Sequence, residues 1–300
     1  MLPYLKLIKF DNLLIIALAQ LCVKYGLFTP FNIAITLNGF GIFLLIIATV
    51  SIAAAGNIII AIYNQESLKK TNLLEGKITE KTANQLFIFF NITGVLIGFY
   101  IANLIGKPSF AALFIIISGL FYSYASYLKE IIVLKNIIIA VLIALSILII
   151  GFFDLLPAIT EKNKESQKVI FSIIFDYSIF AFMIIFLREL VKDCLHIDND
   201  HNKGIKTVPV AIGKNRTTKL IGLATLLPIM AVIYYMYSYL FSNSNAVILA
   251  LIFIIAPLLY FMIKIFSAES NKSLTRLSLI LKMILLITSI SLVSYQFILK

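Results

Sequence analysis

The polar residues best suited to chemistry lie between Arg188 and Gly213, and both histidines of the chain fall in this stretch. At about 100° per residue, Glu189, Asp193, His196 and Asp200 share one face of a helix. A line of acidic residues at the end of an apolar helix is typical of a cation site. A solvated helix end at a membrane surface explains the same pattern, and the residues by themselves leave both interpretations open.

The chain as a whole is far more apolar than a soluble protein. Of its 300 residues, 61% are hydrophobic and 13% are charged, and the mean hydropathy is +1.02. Apolar runs of about 20 residues predict transmembrane helices, whereas barrel strands would alternate polar and apolar residues. We therefore predict an all-α integral membrane protein with nine helical spans, at about 10–29, 33–63, 84–104, 108–127, 131–157, 168–192, 218–241, 245–267 and 274–298.

Lysine and arginine residues predict how these spans are oriented in the membrane. They accumulate in alternate loops, which the positive-inside rule assigns to the cytosol, so we expect a cytosolic N-terminus and a C-terminus outside. The longest polar connections, about 64–83 and 193–217, then both face the cytosol. We predict a single multi-pass domain over 1–300, in the inner (cytoplasmic) membrane, with its chemistry on the cytosolic face.

The formal charge of +11 lies in short loops between spans. Membrane topology explains a charge distributed in this way, so we expect no nucleic-acid partner. Cys22 and Cys194 lie in different segments without metal-type spacing, and they predict neither a disulfide framework nor a zinc site.

The second predicted span contains a partial counterpart of the acidic face. An offset of 132 residues aligns Glu189, Asp193, His196 and Asp200 with four positions near the cytosolic end of that span, namely Asn57, Ala61, Asn64 and Leu68. Both spans are followed by a basic loop, which favours two halves of one site. In apolar sequence of low complexity, such an offset also arises by chance.

These two segments resemble a known family. Arg-Glu-Leu-Val-Lys-Asp193, followed by Asp200 and by Lys206-Thr-Val-Pro-Val-Ala-Ile-Gly, resembles the second aspartate-rich motif of the UbiA superfamily of intramembrane prenyltransferases. The match looks closest to the digeranylgeranylglyceryl phosphate synthase-like branch. Further similar segments are Ala53-Ala-Ala-Gly56-Asn57, before the family's first motif, and Tyr127-Leu-Lys129 with Asn136, between its fourth and fifth helices. The resemblance extends over nearly the whole chain and implies a UbiA-type bundle of nine helices.

The resemblance implies that two aspartate-rich helices hold Mg²⁺ on a prenyl diphosphate. Such a cation neutralises the diphosphate as it leaves the allylic carbon. Asp193 and Asp200 match family carboxylates and are the predicted metal ligands, while His196 replaces the middle carboxylate and is predicted as an accessory ligand or phosphate donor. The remaining predicted contacts to the diphosphate donor are Asn57, Asn64, Arg188, Lys192 and Lys129, although membrane topology also explains these cations.

The first motif departs from the family pattern. Its three aspartate positions are occupied by Ala61, Asn64 and Leu68, which removes the expected carboxylates. One hypothesis is therefore a slow enzyme that transfers a polyprenyl group, such as geranylgeranyl, to a lipid-like acceptor such as a prenylglyceryl phosphate. The other is a catalytically degenerate protein that binds a polyprenyl lipid or serves as a membrane subunit of a larger assembly. A transporter has less support, because intramembrane charges are few.

Four further positions also invite interpretation. Asp176, within the sixth span, marks either a pocket or a partner, or else it reaches the outer interface; Lys24 in the first span is a possible partner for it. Asp154, at the end of the fifth span, is interpreted as structural. Gly213 is predicted to shape the turn into the seventh span.

Overall fold

The structure is a computed structural model that describes residues 2–66, 72–73, 78–202 and 204–298. Its first elements are α1 (Leu2–Leu7), α2 (Phe10–Leu21), a π-helical turn (Cys22–Phe28), α3 (Gly39–Glu66), the antiparallel strands β1 (Asn72–Leu73) and β2 (Ile78–Thr79), α4 (Glu80–Leu104), and α5 (Ala111–Ser126). Next come α6 (Leu134–Ile150), a second π-helical turn (Gly151–Leu155), α7 (Lys164–Leu195), α8 (Ile197–Asn202) and α9 (Val208–Ile212). The last are α10 (Lys214–Ala224), α11 (Leu226–Tyr235), α12 (Ser244–Ala250), α13 (Ala256–Ile265) and α14 (Asn271–Ile298), with π-helical turns at Met236–Leu240 and Leu251–Ile255 and short 3₁₀ turns at Pro108–Phe110, Leu128–Glu130 and Leu156–Ala158.

The helical membrane fold is confirmed. Within the described residues, nine helical segments are long and apolar enough to cross a membrane. They are Phe10–Phe28, Gly39–Asn64, Glu80–Leu104, Pro108–Ser126, Leu134–Ala158, Lys164–Leu195, Lys214–Leu240, Ser244–Ile265 and Asn271–Ser294. Each corresponds to one predicted span, with ends displaced by a few residues. The orientation of the termini stays a prediction, as does the assignment of 1–300 to one domain.

The chain forms two compact units. The first comprises residues 1–24, 32–129 and 146–174, and the second comprises 25–31, 130–145 and 175–300. In the first unit, α3 packs against α4 and α5. Gly56 of α3 lies so close to the Phe121 ring of α5 that a Cβ atom at this position would overlap the ring. The missing side chain therefore lets the two helices approach.

A buried ion pair also holds the first unit together. Lys24 Nζ donates to Asp154 Oδ2 at 2.6 Å and to the carbonyl oxygen of Leu37 at 2.7 Å. The other carboxylate oxygen, Asp154 Oδ1, accepts hydrogen bonds from the backbone N–H groups of Thr36 and Leu37 at 3.0 and 2.7 Å. These bonds hold the chain in a turn before α3, which explains why the second span begins at Gly39 instead of near residue 33. Asp154 is structural, as predicted.

The ion pair corrects one expectation from the sequence. Lys24 was considered as a partner for Asp176, but its carboxylate partner is Asp154. Lys24 and Asp154 both lie in π-helical turns, in the first and fifth spans. The extra residue in such a turn shifts the side chains that follow it, so regular helical spacing does not predict which residues meet.

In the second unit, the half of α7 that leads to Asp193 packs with α10, α13 and α14 around an apolar core. Ile184, Val191 and Cys194 of α7 are fully buried in this core, together with Phe261 of α13 and Leu281 of α14. Gly213 connects α9 to α10 with a backbone φ of 88°, a left-handed conformation that favours glycine. The predicted turn into the seventh span is therefore present, and α7 is anchored along the residues that lead to the acidic motif.

Candidate functional site

Asp193 and Asp200 lie close together in the second unit. Helix α7 ends at Leu195, the chain bends at His196, and the short helix α8 begins at Ile197. The Asp200 N–H donates to the His196 carbonyl oxygen at 2.8 Å, which closes the first turn of α8. Both aspartates are buried, with 6% and 9% of their surface exposed.

One cation connects the two aspartates. Lys135 Nζ lies 2.7 Å from Asp193 Oδ1 and 3.9 Å from Asp200 Oδ2. The next residue, Asn136, donates from Nδ2 to Asp193 Oδ2 at 2.9 Å. Lys135 and Asn136 stand in the first turn of α6, so the start of one span holds the polar end of another. We call Asp193, Asp200, Lys135 and Asn136 the acidic cluster.

Asn136 also carries an unused acceptor. The residue is 1% exposed, and its Oδ1 atom accepts no hydrogen bond from the described part of the chain. A buried amide oxygen without a partner costs about 1–3 kcal/mol, so binding of a hydrogen-bond donor or a cation at this oxygen would be favourable. This oxygen belongs to the same amide group that contacts Asp193.

The acidic cluster contains the donor types that a magnesium ion prefers. Carboxylate and amide oxygens are its usual protein ligands, and Asp193, Asp200 and Asn136 Oδ1 supply them. Lys135 Nζ now contacts both carboxylates, so the ion and the ammonium group would need the same oxygen atoms. Within the described ranges, no group of three or more His, Cys, Asp or Glu side chains is arranged to hold a metal.

His196, the predicted accessory ligand, has an exposed side chain. The bend at this residue ends the regular helical spacing, so His196 does not share the buried setting of Asp193 and Asp200. Its predicted role stays a prediction.

The predicted cations of α7 form a separate group one turn earlier. Lys192 Nζ lies 2.5 Å from Glu189 Oε1, and Arg188 Nη1 lies 4.0 Å from the same oxygen. Arg188 Nε donates to the Ser278 carbonyl oxygen at 3.3 Å, which ties α7 to α14. The Lys192 side chain is 29% exposed and the Arg188 side chain is 14% exposed, so Lys192 is the more accessible of the two to an anion.

In the first unit, the amides of the altered first motif contact the protein itself. Asn57 Nδ2 donates to the Ile8 carbonyl oxygen at 2.9 Å. Asn64 Oδ1 accepts from Lys129 Nζ at 3.3 Å, and this ammonium lies 5.7 Å from the centroid of the Tyr63 ring. The cation–π geometry and the amide contact both hold Lys129 beside the end of α3.

The other altered positions of the first motif add no charge to this end of α3. Ala61 is half-buried. Leu68 lies outside the described residues. The expectation that the first and second motifs form one site stays a prediction.

An apolar cavity of about 490 Å³ lies elsewhere in the second unit, between α7, α11, α12 and α14. Asp176, Phe180 and Met183 of α7 line it, but Asp193 and Asp200 do not. Of the alternatives predicted for Asp176, a pocket, a partner or reach to the outer interface, the cavity lining supports the pocket, and Asp176 makes no hydrogen bond or ion pair within the described residues. Along α7, Asp176 is about 25 Å from Asp193 and about 100° around the helix, so the cavity does not extend the acidic cluster.

Two members of the acidic cluster, Lys135 and Asn136, were not predicted as site residues from the sequence. From the sequence, Lys135 is one of the loop cations that predict the orientation of the spans, and Asn136 is only part of the family resemblance. One signal in the sequence could have identified them. Lys135 and Asn136 are adjacent at the start of an apolar span, on the side of the membrane predicted for the acidic motif. Their pairing with Asp193 depends on tertiary packing, which spacing along the chain does not reveal.

The comparisons with known proteins identify the class. The model of the UbiA prenyltransferase family matches residues 13–287, so this chain belongs to that family. A search of curated proteins finds no match.

Solved structures share its fold. A structure of digeranylgeranylglyceryl phosphate synthase is 22% identical, with a TM-score of 0.63, and the match covers 99% of this chain and 96% of that one. A UbiA homolog from Archaeoglobus fulgidus, bound to GPP and Mg²⁺, is 17% identical with a TM-score of 0.62, covering 97% of this chain and 99% of the other. The same homolog bound to DMAPP and Mg²⁺ gives the same values. At these identities the likeness establishes the fold.

Proposed function

We propose that the protein transfers a polyprenyl group, such as geranylgeranyl, from its diphosphate to a lipid-like acceptor such as a prenylglyceryl phosphate, in the cytoplasmic membrane. The observation that carries the proposal is the buried pair Asp193 and Asp200, beside the unpartnered oxygen of Asn136, in a member of the UbiA prenyltransferase family. A homolog of the same fold bound to GPP and Mg²⁺ supports a prenyl diphosphate as the donor.

In this reaction the bond between the allylic carbon and the diphosphate oxygen breaks, and the diphosphate leaves with the electron pair. A new carbon–oxygen bond forms to the acceptor hydroxyl, whose proton passes to the released diphosphate. Asp193 and Asp200, with Asn136 Oδ1, would hold one Mg²⁺. When bound, that ion would supply positive charge against the leaving diphosphate.

The remaining predicted site residues would contact the same diphosphate. Lys192, the more accessible cation of its pair, is a proposed diphosphate contact, and Arg188 remains one if it exchanges its contacts with Glu189 and Ser278. Asn57 and Asn64 remain predicted contacts from the first motif, and Lys129 remains one from the turn between the fourth and fifth spans. Because Ala61 and the amide of Asn64 stand in place of carboxylates, we expect fewer metal ligands than the two-motif pattern of the family provides and a slow reaction.

One observation favours the alternative, a catalytically degenerate protein that binds a polyprenyl lipid or serves as a membrane subunit of a larger assembly. The Asn57 and Asn64 amides already contact Ile8 and Lys129 within the protein. Polar groups satisfied in this way stabilise the end of α3 and are less available to a substrate.

A transfer assay separates the two functions. Purified full-length protein is incubated with labelled geranylgeranyl diphosphate, Mg²⁺ and candidate acceptor lipids, and the labelled lipid product and the bound donor are measured separately. We expect product from the wild type and its loss in Asp193→Asn, while Asp198→Asn, which changes an exposed acid of the same segment, retains it. Donor binding without product from any acceptor supports the lipid-binding alternative. Neither binding nor product would reject both prenyl transfer and binding of this donor, and would leave the membrane-subunit function.

A further inference from the structure

Lys135 contacts both carboxylates of the acidic cluster, although family resemblance assigns it no role. Its Nζ atom is 2.7 Å from Asp193 Oδ1 and 3.9 Å from Asp200 Oδ2, and its side chain is only 13% exposed. The ammonium group therefore lies against the oxygen atoms that a divalent cation would bind. This contact places the positive charge of a side chain inside a site that is proposed to bind a divalent cation.

The charge of Lys135 is needed when the site holds no other cation. Two carboxylates buried near one another repel, and removing the counter-ion of a buried charge is strongly destabilising. Lys135 offsets this repulsion through a direct contact with Asp193 and a longer one with Asp200. Asn136 adds a hydrogen bond to the second oxygen of Asp193.

The same charge opposes a divalent ion. Mg²⁺ binds oxygen at about 2.0–2.1 Å and demands a near-octahedral shell. An ammonium group at 2.7 Å from Asp193 Oδ1 occupies one approach to that oxygen. The flexible four-carbon stem of lysine allows the ammonium group to withdraw, whereas the carboxylates are held by packed helices.

We propose that Lys135 is a built-in counter-ion that competes with the divalent cation for Asp193 and Asp200. This inference rests on the proposed function, because it assigns the metal to those carboxylates. Lys135 keeps the free site closed to metal at low concentration, and metal binding releases its ammonium group. Asn136 Oδ1, which has no hydrogen-bond donor within the described residues, is a ligand that stays available throughout.

The competition is tested with Mn²⁺ alone as the probe, in the absence of diphosphate. The Kd of purified full-length protein for Mn²⁺ is measured by electron paramagnetic resonance for the wild type, Lys135→Met and Lys219→Met. Methionine removes the charge while keeping a long side chain, and Lys219 is an exposed lysine of α10 that controls for net charge. We expect Lys135→Met to lower the Kd at least about tenfold, equivalent to about 1.4 kcal/mol.

The wild-type affinity should be unchanged in Lys219→Met, and the gain in Lys135→Met should disappear when Asp193→Asn is added. An unchanged or weaker affinity in Lys135→Met, or no Mn²⁺ binding by any variant, overturns the proposal. The Mn²⁺ affinity does not depend on turnover. If Lys135→Met binds Mn²⁺ more tightly but the wild type transfers no prenyl group, the competition is supported and the proposed enzymatic function is rejected.

A measurement on the wild type covers the case in which Lys135→Met does not fold. An amine-acetylating reagent is applied with and without Mn²⁺, and labelling of each lysine is quantified by mass spectrometry. We expect Mn²⁺ to increase labelling of Lys135 at least about threefold and to leave Lys219 unchanged, because withdrawal from Asp193 frees the amine for reaction. Equal labelling of Lys135 in both conditions contradicts the proposal.

Discussion

The buried pair of Lys24 and Asp154 allows a sharp test of what stabilises the first unit. Asp154→Leu removes the carboxylate that accepts from Lys24 and from the backbone N–H groups of Thr36 and Leu37. Leucine has a similar volume, so the change removes charge and acceptors without opening a large cavity. The matched control is Glu161→Ala, which removes an exposed acid from the same unit.

The structure sets the size of the expected effect. Breaking a buried ion pair from one side costs about 3–5 kcal/mol, and the buried Leu37 N–H, left without its acceptor, costs about 1–3 kcal/mol. The Thr36 N–H keeps a second acceptor, the main-chain carbonyl oxygen of Asp154, at 3.0 Å. These terms overlap, so we expect Asp154→Leu to lower the unfolding free energy by about 4 kcal/mol. Lys24→Met should cost less, because Asp154 keeps its two backbone donors. The double variant should be more stable than Asp154→Leu alone, since it removes both buried charges.

The chain contains its own probe for this measurement. Cys22 is buried two positions before Lys24. In a Cys194→Ala background, reaction of Cys22 with a thiol-specific dye along an SDS titration reports unfolding of the first unit. The reasoning is refuted if Asp154→Leu unfolds at the same SDS fraction as Glu161→Ala, or if the double variant loses as much stability as both single variants together.

Two further changes probe local packing in the first unit, followed by the same dye assay. Gly56→Ala should lower stability by about 1–3 kcal/mol, because its Cβ would overlap the Phe121 ring; Gly119→Ala, with open space around it, should be neutral or stabilising, and an equal loss in both would contradict this reading. Thr79→Ala should cost about 1 kcal/mol by removing the oxygen that accepts from the Thr82 N–H at the start of α4, whereas Thr79→Ser should retain stability.

The spans were predictable because hydrocarbon imposes a simple requirement. A helix must satisfy its own backbone hydrogen bonds and expose apolar side chains over about 20 residues, and both conditions leave a signal in the sequence. The exceptions are segments whose ends depend on distant partners. Residues 33–38 are apolar enough to read as helix, but Asp154 binds the Thr36 and Leu37 N–H groups and delays the start of α3 to Gly39.

The acidic site was predictable in its carboxylates but not in its cation. Regular helical spacing predicted Asp193, His196 and Asp200 on one face, yet the bend at His196 leaves that side chain exposed while the two aspartates are buried. Lys135 lies 58 positions before Asp193 along the sequence, and only the packing of α6 near the end of α7 joins them. The spacing of charges within one helix carries no information on such a contact.

The error on Lys24 has a related origin. A buried lysine needs a carboxylate partner, and that physical expectation was correct. Asp176 was the carboxylate considered because it lies within a span, but Lys24 and Asp154, in the π-helical turns at Cys22–Phe28 and Gly151–Leu155, pair with each other instead. Such turns depart from the 3.6-residue period, so hydrophobic spacing does not predict them.

The central claim is that Asp193 belongs to a working diphosphate site. Its most direct test is the initial rate of labelled geranylgeranyl transfer at saturating donor and Mg²⁺, compared between wild type, Asp193→Asn and Asp198→Asn in protein shown to be folded. Loss of charge stabilisation on a leaving diphosphate should lower the rate at least about 100-fold in Asp193→Asn, equivalent to about 2.7 kcal/mol, and should leave Asp198→Asn near the wild-type rate. Equal rates in Asp193→Asn and wild type would contradict the account.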